Sequence, residues 1–223
     1  MNESPIVTYC CDLKVVLLGE SSVGKTSIVT KISTGKFQKG AATIGAAFTT
    51  KQIQFNEIEE NGVEQCFKVS IEIWDTAGQE RYRSLTPMYY RNTDVALIVF
   101  DLTQEASLKK ARSWIDELKS YLDSSSRRDK HISMILVANK VDLVAKNDGT
   151  FDINQYLENW DIPSEYPLKI VSAKTNEGIN ELFDDIIKKI PKDQFVKEDA
   201  QARRPSTIQL NSSIADNSTG CNC

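Results

Sequence analysis

Eight consecutive residues, Gly19, Glu20, Ser21, Ser22, Val23, Gly24, Lys25 and Thr26, constrain this chain more tightly than any other part of it. They fit G-x-x-x-x-G-K-[ST], a loop that works only between a strand and a helix, because the helix amino terminus must aim its free N–H groups at an anion. That context is present. Leu13 to Leu18 is a short apolar run ending at the first glycine, and from Lys25 onward Ile28, Val29 and Ile32 recur on one helical face. Gly24 lets backbone N–H groups approach phosphate oxygens closely, Lys25 reaches the terminal phosphates, and the Thr26 hydroxyl suits Mg²⁺. The stretch from Gly19 through Ser27 is therefore the expected phosphate cradle for a nucleoside triphosphate.

Further short runs rich in Val, Ile and aromatics have the length of buried strands: Val69 to Trp74, Val95 to Asp101, Ile132 to Ala138 and Leu168 to Ser172. Two amphipathic helices alternate with them. Leu108, Ala111, Ile115, Leu118 and Leu122 mark one, and Ile179, Leu182, Phe183, Ile186, Ile187 and Ile190 mark the other. This alternation predicts an α/β chain with the P-loop NTPase fold: a mostly parallel sheet, one antiparallel edge strand and helices on both faces. The edge strand comes from a hairpin between Phe48 and Trp74, in which Ile53 and Phe55 alternate before a polar turn from Asn56 to Glu64. At 223 residues and 40% hydrophobic, the chain can bury one substantial core and carry an appendage. The expected division is a short extension over 1–11, a nucleotide-binding domain over 12–190 and a flexible tail over 191–223. The helical pattern stops at Pro191, and Ser, Asn, Gln and Asp dominate the residues beyond it.

Charge and composition exclude several classes. A formal net charge of −4, without a strongly basic segment, argues against nucleic acid as a partner. No apolar run approaches the roughly 18 residues that span a bilayer, and Met1 to Asp12 lacks the basic start and apolar stretch of a secretory signal. A cytosolic chain is expected. Five cysteines (Cys10, Cys11, Cys66, Cys221, Cys223) match neither a disulfide framework nor paired zinc ligands, and Cys10 and Cys11 read as buried or idle thiols. His131, the single histidine, argues against a histidine metal site or triad.

A phosphate loop does not specify the base. Asn139, Lys140, Val141 and Asp142 do so, at the carboxyl end of the strand from Ile132 to Ala138, where open α/β sheets bind ligands. The Asp142 carboxylate can accept from N1–H and the exocyclic N2–H₂ of guanine, a donor pair that adenine lacks, and an unpaired buried carboxylate disfavours ATP. At the next strand end stand Ser172, Ala173 and Lys174, where a backbone N–H can donate to guanine O6. Asp75 opens Asp75-Thr76-Ala77-Gly78-Gln79 at the end of the run reaching Trp74; an aspartate there is, by itself, more often a turn former.

With these motifs in this order, the chain resembles the Ras superfamily of small GTPases and, within it, the Rab family of membrane-traffic switches. The likeness covers about Leu13 to Ile190 and the terminal Cys221, Asn222 and Cys223. Thr43-Ile44-Gly45-Ala46-Ala47-Phe48 and Pro87-Met88-Tyr89-Tyr90-Arg91 look most like the early-endosomal, Rab-five-type branch and its fungal relatives. The resemblance implies a switch that hydrolyses GTP to GDP. Thr43 would join Thr26 on Mg²⁺ when the γ-phosphate is present, with Asp75 acting through a coordinated water. Gly78 N–H would meet the γ-phosphate and Gln79 would orient the attacking water, making Gln79 and Lys25 the catalytic pair. Phe37 would neighbour the guanine ring, which Asn139, Lys140, Asp142, Ser172, Ala173 and Lys174 surround. Ile44, Phe48, Trp74 and Tyr89 would form an effector surface; without the resemblance, burial is the better reading of such aromatics. The implied partners are an exchange factor, an activating protein, a GDP-dissociation inhibitor or prenylation escort, and effectors, with the chain itself a monomer. An activator of this family can supply a glutamine, leaving the role of Gln79 under activation open.

The implied address is the cytoplasmic face of endosomal membranes, with a cytosolic pool. Cys221 and Cys223 resemble the double-geranylgeranyl ending. Four basic residues in the tail (Lys192, Lys197, Arg203, Arg204) meet four acidic ones (Asp193, Glu198, Asp199, Asp216), so anchoring there rests on two lipid chains. Ile208 and Leu210 resemble an aliphatic pair read by the escort, or are a chance pair. Two features depart from the family pattern. Phe37 and Thr43 are six residues apart where seven is usual, so either the first switch is tighter or Phe37 does not stack; and the hairpin from Phe48 to Trp74 is long. The short switch motivates one rival, a GTP-locked membrane interaction module with little hydrolysis. Another is an ATP-dependent P-loop kinase.

Overall fold

Strand β1 (Val7–Leu18) is apolar and buried over its last residues because it lies inside the sheet. It pairs in parallel with β3 (Glu64–Thr76) along Val7 to Leu17 and with β4 (Val95–Asp101) along Val15 to Leu18. The computed structural model describes residues 6–38, 42–58, 62–79, 81–82, 86–124, 132–144, 152–158 and 160–198. Strand β4 is buried at every residue, the continuous apolar pattern of a central parallel strand. Parallel β5 (Ser133–Asn139) and β6 (Leu168–Ile170) follow, and β2 (Ala46–Ile58) closes the opposite edge antiparallel to β3. The order is β2-β3-β1-β4-β5-β6.

Among the described residues, five α-helices join these strands: α1 (Lys25–Thr34), α2 (Thr86–Tyr90), α3 (Glu105–Ser124), α4 (Ile153–Leu157) and α5 (Ile179–Lys188). Alternate residues of each strand face opposite ways. Val15 and Leu17 therefore join Ile28 of α1 and Phe183 of α5 in one core, while Val16 and Leu18 join Leu108, Trp114 and Leu118 of α3 in the other. Helix α1 ends on Gly35, which takes the left-handed conformation (φ 72°) and returns its N–H to the Lys31 carbonyl. The sheet is thus covered on both faces, and the loops leaving β1, β3, β4 and β5 share its carboxyl edge.

The structure differs from the sequence expectation at the other edge. The first strand begins at Val7, inside the expected extension over 1–11, because Val7 to Cys11 pair with Gln65 to Val69. The hairpin is longer than its apolar residues suggest. Ladder pairing runs from Ala46↔Thr76 through Phe48↔Trp74 to Ile58↔Glu64, so Asn56, Glu57, Ile58 and Glu64, expected in the turn, belong to the strands. The flexible tail expected from Pro191 is corrected over its first eight residues. Lys192–Gln194 form a 3₁₀ turn, and β7 (Val196–Lys197) lies antiparallel on β1 through Tyr9↔Lys197 and Cys10↔Val196, a second antiparallel strand. Phe195 packs edge-on against Phe67 at 5.1 Å, while Tyr9 and Phe55 stack on that ring. Residues 199–223, including Arg203, Arg204, Ile208, Leu210, Cys221 and Cys223, lie outside the described residues.

Candidate functional site

A cavity of about 710 Å³ opens at the carboxyl edge, lined at one end by Ser21, Ser22, Gly24, Lys25, Thr26, Ser27, Thr43 and Gly78. Phe37, Asn139, Lys140, Asp142, Ala173 and Lys174 line the other end, together with Ala42 and Leu143. The loop reaches this shape through two glycines that tolerate positive φ, Gly19 at 145° and Gly24 at 102°, with Ser22 held in the left-handed region at 67°. Space is as tight as the dihedrals. A Cβ on Gly19 would run into the Val99 carbonyl, and one on Gly24 would run into the Asn139 amide.

Lys25 is buried and donates from Nζ to the carbonyls of Gly19 (2.8 Å) and Glu20 (2.9 Å). Burial lowers its pKa to about 8, against the opposing pull of Asp75 and Glu20. Thr26 Oγ1 donates to Asp75 Oδ2 (2.6 Å) and lies 2.9 Å from Thr43 Oγ1, which is 3.3 Å from the same carboxylate oxygen. Asp75 is buried, and its other oxygen, Oδ1, has no hydrogen-bond partner among the described residues. Burial raises its pKa, partly offset by Thr26, Lys25 and Thr43. Three oxygen-bearing side chains thus converge on one point, with an acceptor to spare. That is the donor set of a hard divalent cation.

Gly78 lies against the phosphate loop so closely that a Cβ would fall about 2.5 Å from the Glu20 carbonyl oxygen. Gln79, by contrast, does not line the cavity; its carbonyl accepts from the Tyr82 N–H at 3.0 Å. Gly19, Glu20, Val23 and Ser172 also stay out of the lining and act from behind it. Glu20 and Gly19 hold Lys25 through their carbonyls. The Val23 carbonyl accepts from Asn139 Nδ2 (2.9 Å), whose Oδ1 accepts from the Ala173 N–H (3.2 Å). One buried amide therefore ties the phosphate loop to the ends of β5 and β6. Ser172 Oγ donates to Asp142 Oδ1 (2.6 Å), and Lys174 Nζ stands 3.5 Å from Asp142 Oδ2. These contacts aim the carboxylate.

Sequence reasoning missed Ala42, Asp101 and Leu143. Lys140, at φ 71°, sends Nζ to Asp101 Oδ2 (2.6 Å), while Asp101 Oδ1 accepts from the Thr103 N–H and hydroxyl. The strand register Asp101↔Asn139 is the signal that would have found it, since it sets the two strand ends side by side. The six-residue spacing from Phe37 to Thr43 nevertheless brings both into the lining. Phe48, Trp74 and Tyr89 form a ring cluster with centroids 5.3 and 5.8 Å apart. Ile44 and Phe48 are exposed, but Trp74 and Tyr89 are half-buried against the α3 core, and Trp74 Nε1 is sealed without a partner among the described residues.

A sequence model of the Ras family matches residues 14–192. The chain belongs to the Ras family. Ras-family proteins are GTPases, so it binds guanine nucleotides and hydrolyses GTP. It is 41% identical over 199 residues to GTP-binding protein YPT52 of Saccharomyces cerevisiae, covering 79% of this chain and 81% of that protein. It is 38% identical over 224 residues to GTP-binding protein ypt5 of Schizosaccharomyces pombe, covering 100% and 99%. The Ras-like GTP-binding protein RYL2 of Yarrowia lipolytica is 34% identical over 220 residues, covering 94% and 98%. Among the described residues of this Ras-family chain, no helix is long and apolar enough to cross a membrane.

Proposed function

We propose that this chain is a Rab-type switch of the endocytic pathway, in which GTP and Mg²⁺ occupy the described cavity and effectors read the ordered switches. The carrying observation is that one cavity joins the Lys25, Thr26, Thr43 and Gly78 end to the Asn139, Asp142, Ala173 and Lys174 end. Asp142 accepts from the two guanine donors, its geometry set by Ser172. At neutral pH Lys25 is a desolvated cation held by two carbonyls, and phosphate oxygens supply the counter-charge that its burial lacks.

Thr26, Thr43 and Asp75 would hold the metal, and the unpartnered Asp75 Oδ1 supports that fit. When bound, Mg²⁺ neutralises charge on the phosphates. Thr43 sits on the first switch and Gly78 on the second, so loss of the γ-phosphate removes a reason for both to stay in place. In this reading Gln79, which follows Gly78 just outside the cavity lining, orients the attacking water. Ile44 and Phe48 give a nucleotide-dependent effector surface, with Trp74 and Tyr89 as its half-buried floor. Cys221 and Cys223 carry the two prenyl chains that place the switch on the cytoplasmic face of endosomal membrane.

Single-turnover hydrolysis of preloaded GTP, with and without a Rab-type activator, tests the switch. Slow basal turnover and strong acceleration are expected. A chain that keeps GTP intact under both conditions is the interaction module instead, and ATP competing on equal terms with GTP would overturn the base assignment.

A further inference from the structure

The end of the domain opposite the nucleotide cavity carries exposed aliphatic side chains that the switch does not use. Ile58 is 75% exposed, Val196 70%, Ile6 53% and Val63 45%. Register places them together. Ile58 pairs with Glu64, next to Val63, at the distal end of the β2–β3 hairpin; Val7 pairs with Gln65, which brings Ile6 beside Glu64; and Val196 pairs with Cys10 on the other side of β1. With neighbouring strands about 4.8 Å apart and about 3.3 Å per residue, these side chains fall within roughly 15 Å of Ile6. Ile6, Ile58 and Val196 also share one parity of the pleat, so they stand on one sheet face, the face that α3 covers only further toward the nucleotide.

The docked segment ends at this same place. Glu198 donates its N–H to the Thr8 carbonyl (2.8 Å) and takes Lys68 in an ion pair (2.9 Å), while Lys192 pairs with Glu57 (2.5 Å). The 25 residues from Asp199 to Cys223 thus start beside Ile6 and Val196. Lys68 and Lys192 are engaged within the domain, so this face offers little cationic attraction; Ile6, Ile58 and Val196 are the aliphatic side chains that stand out from it, among the polar Thr8, Gln54, Asn56 and Glu64.

We propose that this pole, with Ile6, Ile58 and Val196 foremost, rests in the headgroup boundary of the lipid surface to which the terminal cysteines are anchored. The docked strand β7 fixes the orientation, because it makes the tail leave from the contact face. The nucleotide cavity, Ile44 and Phe48 then point into the cytosol. This orientation rests on the lipid-anchor reading of Cys221 and Cys223.

The test uses the full chain, doubly geranylgeranylated and verified by mass, on phosphatidylcholine vesicles. An environment-sensitive fluorophore is attached at Ile58→Cys or Val196→Cys, with Glu105→Cys, on α3 at the nucleotide end, as the control. Expected are a blue shift and loss of emission to spin-labelled lipid at positions 58 and 196, with neither at 105. A chain that sediments with vesicles while positions 58 and 196 behave like 105 refutes the orientation and leaves the anchor standing. A doubly lipidated chain that stays in the supernatant refutes the anchor reading and the orientation with it. A concentration-dependent blue shift at 58 without vesicles assigns the face to a second copy of the chain and overturns the proposal.

Discussion

Replacing Gly24 by alanine tests the tie between the phosphate loop and the base-binding strand ends. Two costs arise. At φ 102° an alanine is strained by about 1–3 kcal/mol, and its Cβ collides with Asn139 Nδ2. Asn139 must move, surrendering its bonds to the Val23 carbonyl and the Ala173 N–H; at about 1–3 kcal/mol for each buried group left unsatisfied, that loss is about 3 kcal/mol. Gly24→Ala should therefore cost about 5 kcal/mol and Asn139→Ala about 3 kcal/mol. In the double variant the collision is gone and only the strain is added, so it should also cost about 5 kcal/mol instead of about 8 kcal/mol. The coupling is about 3 kcal/mol, roughly 100-fold in a dissociation constant. Fluorescent GDP affinity and urea midpoints measured on the four proteins give the cycle. If the two single effects add to within about 0.5 kcal/mol, Asn139 is not the obstacle and the tie plays no part.

Three further outcomes are expected. Asp142→Asn replaces an acceptor with an amide that offers donors, so affinity should move from guanine toward xanthine nucleotides; competition binding in which GTP is undiminished would sink the base assignment. Because the Lys25 pKa is lowered to about 8 in the folded chain, the unfolded chain holds an extra proton between about pH 8 and the ordinary 10.5, and nucleotide-free protein should gain stability as pH rises through that window. The full gain is about 3 kcal/mol; a flat urea midpoint from pH 8 to 10, or an equal rise in Lys25→Met, contradicts it. Phe195→Ala removes a half-buried ring from the Phe67 cluster and should cost about 2 kcal/mol, lowering the melting temperature by roughly 4–8 °C without changing GDP affinity. A lowered affinity would mean that the docked segment acts on the nucleotide end.

The parts of the fold that sequence reasoning reached are those where one chemical demand dominates a local stretch. Val95 to Asp101 reads as a strand because a strand buried on both faces must be apolar throughout, and Gly19 to Thr26 reads as a phosphate loop because few residue types fit that backbone. The distal half of the sheet escaped for the opposite reason. Thr8, Gln54 and Lys68 are polar residues on a weakly covered face, so their pairing follows from register with distant strands and leaves no local apolar signature. Val196 and Lys197 form a strand only because β1 offers them a free edge. In the site, Asn139 and Asp142 were legible from their motif, whereas Asp101 is an aspartate after an apolar run, whose partnership with Lys140 appears only when β4 and β5 lie in register.

The pairing of Tyr9 with Lys197 also sets a timetable for synthesis. The two residues are about 190 positions apart, so at roughly 5–20 residues per second a nascent chain carries one side of its first strand unpaired for about 10–40 s. During that interval Thr8 and Cys10 belong to a bare edge, the form in which strands recruit other chains. Val196 and Lys197 are the residues that end this exposure, so truncation before Val196 should reveal itself first as aggregation during expression.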